Sequence, residues 1–148
     1  MSEHKATIQW KRATQGFDYD TYNRDHTMVF PGGQTLQASA APEFKGNAAH
    51  ANPEQALVAA IASCHMLTFL ALAARKGITI DQYTDDAVGF LEKNEDGKLF
   101  VSRVTLRPRI IFGGNGLSGE ALAKFHERAH QHCFIANSVL TRVKVEPL

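Results

Sequence analysis

The sequence predicts an α+β fold in a single domain over residues 1–148, with helices separated from mostly antiparallel strands. Three observations lead to it. Short strands come first, a long and almost wholly apolar helix follows, and a hairpin, an amphipathic helix and a last strand complete the chain. Strands and helices that are grouped in this way are typical of the class. The length fits one domain, and the 44% hydrophobic and 21% charged fractions are ordinary for a globular protein.

The first forty residues predict short strands. The segment "ATIQWKR" carries Ile8 and Trp10 on one face of an extended chain. The segments "TMVF" and "TLQAS" flank "PGGQ", whose proline and glycines indicate a turn. The following "APEFKGNAAHA" is interpreted as a loop.

A long helix is predicted after this loop. Asn52 is a plausible N-cap, Pro53 suits the first helical position, Glu54 suits the positive end of the helix dipole, and Gly77 is the expected C-cap. Between residues 56 and 74 the polar side chains are Ser63, His65 and Thr68. The length approaches that of a membrane span. Because the run is rich in alanine, has polar residues at its centre and lies among strands, we expect a core or interface helix and no membrane contact.

A hairpin, a second helix and a final strand are predicted next. The segments "DDAVGFLEK" and "KLFVSRVTLRPRIIF" flank the tight turn of Asp96 and Gly97, and Pro108 favours an edge strand or a bulge. Along the second strand, one predicted face holds Val104, Leu106, Ile110 and Phe112. The opposite face, with Arg103, Thr105, Arg107 and Arg109, is expected to be solvated rather than to bind an anion. A helix beginning near Ser118 is followed by the strand "VLTRVKVE".

The charge balance argues against a nucleic-acid partner. Sixteen Lys and Arg residues against fifteen Asp and Glu residues leave a net charge of +1, and no block of basic residues suggests a basic tail. The polar start "MSEHKATIQW" lacks the apolar stretch of a signal peptide. Two cysteines are too few for a secreted disulfide scaffold. We therefore expect a cytoplasmic protein whose thiols are reduced at rest or redox-active.

The two cysteines are the first candidates for chemistry. Cys64 lies in the middle of the long helix, and Cys133 continues the apolar stripe of the second helix, which comprises Leu122, Phe125 and Ala129. Two buried elements that each offer one thiol could meet. The alternative is that both cysteines are small hydrophobic core residues, a common role for a free cysteine.

Two segments resemble the signature of the OsmC/Ohr family, the osmotically inducible and organic hydroperoxide resistance proteins. They are "NPEQALVAAIASC" and "AHQHCFIANSV". In that family Asn-Pro-Glu opens the central helix, and the peroxidatic cysteine follows the glutamate by ten residues, as Cys64 follows Glu54. A second cysteine ends a later helix, as Cys133 does. The resemblance implies an OsmC-like fold, with sheets packed on a long central helix in an intertwined homodimer, and it implies no cofactor.

The resemblance also implies a thiol-dependent peroxidase. Cys64 would attack the distal oxygen of an organic hydroperoxide as a thiolate, releasing an alcohol and leaving a sulfenic acid. Cys133 would then condense with it to a disulfide, which a dithiol or a lipoylated protein would reduce. Two departures bear on the substrate: Phe134 stands where the family often has proline, and His65 where its peroxidases often have an aromatic residue.

A thiolate inside an apolar helix needs a cation, because burial disfavours the charged form and the helix dipole acts only near the helix end. The resemblance places Arg24, in "NRDH", in this role, with Glu54 holding its guanidinium; Arg12 is the rival. Ten helical residues separate Glu54 and Cys64 by about 15 Å. They therefore share a site only if the helix breaks or a second subunit contributes, which favours a homodimer with interface sites.

The histidines leave two other hypotheses open. His126 and His130 lie one turn apart near His132 and Cys133, so they are candidate metal ligands, although a polar helix face is the simpler interpretation. His65 is a candidate base for Cys64, but adjacent helical residues point about 100° apart, which favours a core or interface histidine. An alternative function is a binding protein on the same scaffold, for a small apolar or thiol-reactive ligand without turnover.

Overall fold

The computed structural model describes residues 1–148 and divides the chain into two compact units, residues 1–56 and 57–148. The first unit contains an antiparallel sheet of three short strands in the order β1, β2, β3. These strands are β1 (Thr7–Gln9), β2 (His26–Val29) and β3 (Thr35–Ala38). The predicted "PGGQ" turn between β2 and β3 is confirmed, since both of its glycines have positive φ. A short 3₁₀ helix over Pro42–Phe44 interrupts the predicted loop.

Helix α1 (Pro53–Arg75) begins at the end of the first unit and continues through the second. Both of its predicted ends are confirmed. The Gln55 amide donates to Asn52 Oδ1 at 2.8 Å, and the Asn52 amide donates to Gln55 Oε1 at 3.0 Å, which is a capping box. At the other end Gly77 has φ 69° and donates its amide to the Ala74 carbonyl, as a C-terminal cap requires.

Only one face of α1 is fully buried within the chain. Its members recur at every fourth position and are Ile61, His65, Phe69 and Ala73. Leu67, on another face, is 59% exposed. The helix is long and apolar enough to cross a membrane by length and composition alone. The prediction of a helix that is apolar on all sides therefore agrees with the structure, and part of its apolar surface stays open in the single chain.

The second unit combines two small sheets with helix α2 (Gly119–Gln131). Its strands are β4 (Ile80–Asp85), β5 (Val88–Lys93), β6 (Leu99–Leu106), β7 (Pro108–Phe112) and β8 (Arg142–Val145). One sheet pairs β4 with β7, antiparallel; the other has the order β5, β6, β8. The β6–β8 pair is parallel, an exception to the predicted antiparallel pattern.

The predicted hairpin is confirmed, but its second strand is wrong in extent. Strands β5 and β6 pair across the Asp96–Gly97 turn as expected. The chain then leaves this sheet at Arg107, and β7 pairs with β4, a strand that was not predicted. Pro108 is the first residue of β7, where its missing N–H interrupts no ladder. The predicted common face is therefore split between two cores, and Thr105 is buried instead of solvated.

Helix α1 contributes to two apolar clusters along its buried face. Phe69 and Ala73 pack with Phe125 and Ala129 of α2, against partly buried side chains of β4 and β7. Ile61 packs with the β6 side chains Val104 and Leu106, and with side chains of β8. Burying a large apolar side chain contributes roughly 1.5–3 kcal/mol, so these two clusters fix α1 in the second unit. The expectations of a single domain and of a homodimer stay predictions.

Candidate active site

The structure brings the two cysteine thiols together. Cys64, in the middle of α1, is partly exposed, whereas Cys133 is fully buried. The Cys133 side chain lies beside the Cys64 side chain, close enough for one thiol to affect the pKa of the other, and both thiols are free. Two neighbouring thiols are placed to form a disulfide after one of them is oxidised.

A turn that follows α2 holds Cys133 in place. The predicted start of α2 near Ser118 is confirmed, and the helix ends at Gln131, two residues before the cysteine. The Cys133 amide donates to the His130 carbonyl at 3.1 Å, which continues the helical path to the thiol. The amide of Ala136 donates to Cys133 Sγ at 3.5 Å. Cys133 thus extends the buried stripe of α2, as the sequence predicted.

The environments of the two thiols differ in a way that bears on their chemistry. Burial raises the pKa of Cys133 to about 11, and the contact with Cys64 acts in the same direction. The amide of Ala136 opposes this shift but does not cancel it. Cys133 is therefore a protonated thiol at neutral pH, and it is poorly suited to attack a substrate first. The partly exposed Cys64 is the thiol that a substrate can reach.

Arg24 lies in the first unit and uses its guanidinium on backbone carbonyls. It donates to the Tyr22 carbonyl at 2.9 Å and to the Tyr19 carbonyl at 2.6 Å, and it lies 4.0 Å from the centre of the Tyr22 ring. Its rival Arg12 is exposed and donates to the Gln15 carbonyl at 2.8 Å. Arg24 thus makes more side-chain contacts than Arg12.

Arg24 also lines a groove of about 470 Å³ in the first unit. The other lining residues are mainly apolar or aromatic: Ile8, Trp10, Phe17, Tyr22, His26, Ser39, Ala40 and Pro53. Trp10, Phe17 and Tyr22 form a cluster with ring centres 5.4–6.5 Å apart. A groove of this kind suits an apolar ligand with one polar group.

Glu54 lies in the first turn of α1, and its carboxylate is not paired with Arg24 within the chain. Its Oε2 atom is buried and has no hydrogen-bond partner. Because α1 is unbroken from Pro53 to Arg75, about 15 Å of helix separates Glu54 from Cys64. The predicted roles of Arg24 and Glu54 stay predictions.

The histidines form a pair that the sequence did not predict. His65 Nε2 lies 3.0 Å from His126 Nδ1, and both rings are buried, one on α1 and the other on α2. Burial lowers the pKa of each to about 4, so both are neutral at physiological pH. The sequence held one indication that these histidines are in the core. His65 lies four residues after the buried Ile61, and His126 lies four residues after the half-buried Leu122.

The structure bears on both histidine hypotheses. His126, His130 and Cys133 do not form a group of three side chains placed to hold a metal ion. His132 is exposed, and its Nδ1 lies 2.8 Å from the Arg128 carbonyl. His65 is a core histidine, as expected, although its Nδ1 atom has no partner.

The fold and the paired thiols define an α+β protein with two free cysteines that contact each other. The family model described as OsmC-like protein matches residues 45–147, and the chain belongs to this family. It is similar to an OsmC-like protein of unknown function from Vibrio cholerae, at 45% identity over the full length of both chains and a TM-score of 0.93. No curated protein sequence matches the chain significantly.

Two more distant structures carry functional names. The organic hydroperoxide resistance protein OhrB of Bacillus subtilis has 22% identity and a TM-score of 0.71, covering 99% of this chain and 98% of that one. An organic hydroperoxide resistance protein from Elizabethkingia anophelis has 20% identity and a TM-score of 0.76, covering 99% and 96%. At this identity the likeness shows the fold. The predicted OsmC-like fold is thereby confirmed, and α1 is interpreted as its central helix rather than a membrane span.

Proposed function

We propose that the protein is a thiol-dependent peroxidase that reduces organic hydroperoxides to alcohols. The observation that carries the proposal is the contact between the partly exposed Cys64 thiol and the buried, protonated Cys133 thiol. The family contains proteins named for organic hydroperoxide resistance. The unequal environments of the two thiols support one order of reaction, in which Cys64 attacks and Cys133 resolves.

The proposed reaction has three steps. The Cys64 thiolate attacks the distal oxygen of the hydroperoxide, the O–O bond breaks, and the alkoxide takes a proton to leave as alcohol while Cys64 becomes a sulfenic acid. The Cys133 sulfur then attacks the Cys64 sulfur, and its proton leaves with the hydroxyl group as water. A dithiol or a lipoylated protein transfers two electrons and two protons to the disulfide, which regenerates both thiols.

A homodimer would complete the proposed site. The Glu54 oxygen that is buried without a partner is an unfavourable arrangement unless a cation or donor approaches it. In the proposed dimer, Arg24 and Glu54 of one copy lie beside Cys64 of the other copy, so that Arg24 stabilises the thiolate while Glu54 holds the guanidinium. The exposed apolar surface of α1, which includes Leu67, supports an interface there. The need for reduced thiols at rest supports a cytoplasmic location.

The aromatic groove of the first unit favours an apolar substrate and also supports a second candidate function. Its apolar lining beside one guanidinium suits the organic portion and polar end of a hydroperoxide. The same groove would serve a protein that binds a small apolar or thiol-reactive ligand without turnover. The two functions differ in whether Cys64 is consumed and regenerated.

Peroxide consumption tests the proposal. The purified protein is mixed with tert-butyl or cumene hydroperoxide and dihydrolipoamide, with Cys64→Ser as the control. We expect catalytic consumption by the wild type and none above background by the variant. Consumption at the background rate in both proteins would favour the binding protein, whereas equal consumption above background would show that Cys64 is not the attacking thiol.

A further inference from the structure

The buried His65–His126 pair joins α1, which carries Cys64, to α2, which leads into the turn that carries Cys133. His65 directly follows Cys64 on α1, and His126 precedes Cys133 on the path of α2. The 3.0 Å contact is the one side-chain hydrogen bond between α1 and α2. The two ring planes differ by 10°. Because both rings are neutral, one nitrogen carries the shared proton and the other accepts it, which fixes the direction of each ring.

The apolar contacts between these helices specify their relative position less narrowly. Phe69 meets Phe125 edge to face at 4.9 Å and lies 4.5 Å from the His126 ring. Apolar side chains attract each other without a strong directional preference, so they allow helices to rotate or slide by small amounts. A hydrogen bond between buried rings has a narrow range of distance and angle. The histidine pair therefore sets the register of α1 against α2.

The pair is not an efficient source of stability. His65 Nδ1 and His126 Nε2 are both buried without a hydrogen-bond partner. A buried polar atom without a partner opposes folding, and an apolar pair of similar volume would avoid that penalty. A role in geometry accounts for two imidazoles at this position better than a role in stability does.

We propose that His65 and His126 are positioning residues that hold Cys64 opposite Cys133, so that the disulfide closes without movement of either helix. This inference rests on the proposed peroxidase function, because disulfide closure is a step of that reaction. The first test below measures disulfide closure without peroxide. Closing a disulfide requires the two sulfurs to meet within a narrow geometry. A misplacement of about 1 Å at reacting groups costs up to about 100-fold in rate.

The test compares variants that break the bond with variants that keep it. His126→Leu removes the bond, and His65→Met removes it from the other helix, as a second test should the first variant not fold. An asparagine side chain places its amide where a histidine has Nδ1, and a glutamine where it has Nε2, so His126→Asn and His65→Gln keep a donor or acceptor in place. Phe125→Leu is the matched control, because it weakens the apolar contact between Phe125 and Phe69 and leaves the His65–His126 hydrogen bond in place.

The measurement is the effective concentration of Cys133 for Cys64, from the equilibrium between the two thiols and reduced and oxidised glutathione. We expect roughly a 10-fold decrease or more in His126→Leu, recovery to within about 3-fold of wild type in His126→Asn, and little change in Phe125→Leu. A matching decrease in Phe125→Leu, or an unchanged value in both bond-breaking variants, would overturn the proposal.

A second measurement separates the two steps of the peroxide reaction. A sulfenic-acid trap such as dimedone should label Cys64 of His126→Leu after one equivalent of cumene hydroperoxide, whereas the wild type should close its disulfide before the trap reacts. Wild-type protein that does not react with peroxide would remove the peroxidase proposal, and the glutathione equilibrium would still decide the role of the pair. Equal labelling of wild type and His126→Leu, in proteins that do react, would contradict it.

Discussion

The fully buried thiol of Cys133 lies beside the partly exposed thiol of Cys64. Burial raises the pKa of Cys133 to about 11. One thiol is thus held protonated and away from solvent, next to another that solvent reaches. We therefore expect the two residues to react in sequence. A substrate reaches Cys64 first, and the buried Cys133 thiol reacts afterwards with the oxidised Cys64 side chain.

Alkylation should therefore modify Cys64 first. At pH 8 a thiol with a pKa of about 11 is ionised roughly 100-fold less than a free cysteine, so we expect iodoacetamide to react with Cys133 at least about 100-fold more slowly than with a free cysteine. Peptide mapping over time measures both rates. Unfolding in urea is the control, since it should make the two cysteines equally reactive. Faster labelling of Cys133 than of Cys64 in the folded protein would contradict the assigned order.

The histidine pair should make the protein sensitive to acid. Both pKa values are lowered to about 4 from an ordinary 6.5, so between these pH values the unfolded chain binds protons that the folded chain does not. The free energy of unfolding is therefore expected to be constant above about pH 6.5 and to fall as the pH drops toward 4. One histidine contributes about 3 kcal/mol over this window, and protonation of the second ring in the folded chain is disfavoured further, because the first ring would then carry a positive charge beside it.

Urea unfolding at several pH values between 7.5 and 4.5 measures this dependence. His126→Asn is the comparison, because it removes one titrating imidazole ring and leaves all carboxylates and the other histidines in place. The variant should lose less stability between pH 6.5 and 4.5 than the wild type. Parallel curves for the two proteins would show that the acid sensitivity arises elsewhere, for example at the carboxyl groups.

Local signals allowed much of the fold to be predicted. The capping residues Asn52 and Gly77 set the ends of α1, and the Asp96–Gly97 turn set the β5–β6 hairpin, because caps and tight turns depend on neighbouring residues alone. Strand β4 was missed because its register shifts between Ile80 and Gln82, which disrupts the alternation of apolar and polar residues.

The site was only partly predictable for a similar reason. The stripe of α2 pointed to Cys133 as a buried residue, since helical spacing reveals which face of a helix is apolar. The partner of a buried polar side chain cannot be predicted from helical spacing. His65 and His126 are 61 positions apart, and no local pattern links them. The exchange of sheets at Pro108, which divides one predicted strand between two cores, likewise depends on pairing with distant segments.

Replacing Arg24 should slow the first chemical step. If Arg24 stabilises the Cys64 thiolate, Arg24→Met should reduce the rate constant for cumene hydroperoxide by roughly 10-fold or more, as expected for loss of a neighbouring positive charge. Arg12→Met is the matched control, because Arg12 is an arginine of the same unit with one backbone hydrogen bond. Stopped-flow measurement at pH 7 compares the two variants. A decrease in Arg12→Met alone would assign the role to Arg12.

Leu67 should lie in the interface of a homodimer. It is 59% exposed in the chain, although it lies in the middle of an apolar helix. In a monomer, Leu67→Glu would place a charge in water and change stability by about 0.5 kcal/mol or less. In a dimer that covers α1, the same change would bury an unpaired carboxylate, which costs several kcal/mol and should dissociate the subunits. Leu99→Glu is the control, since Leu99 is similarly exposed but lies on β6.

Light scattering coupled to gel filtration at micromolar concentration distinguishes these outcomes. We expect a dimer for the wild type and for Leu99→Glu, and a folded monomer for Leu67→Glu. The monomeric variant should also lose peroxide turnover, because Arg24 of the second copy would no longer reach Cys64 in the proposed site. A wild-type monomer that still turns over peroxide would exclude the shared site, and a Leu67→Glu dimer would place the interface on another surface. In the first case the charge that stabilises the Cys64 thiolate would have to come from within one chain.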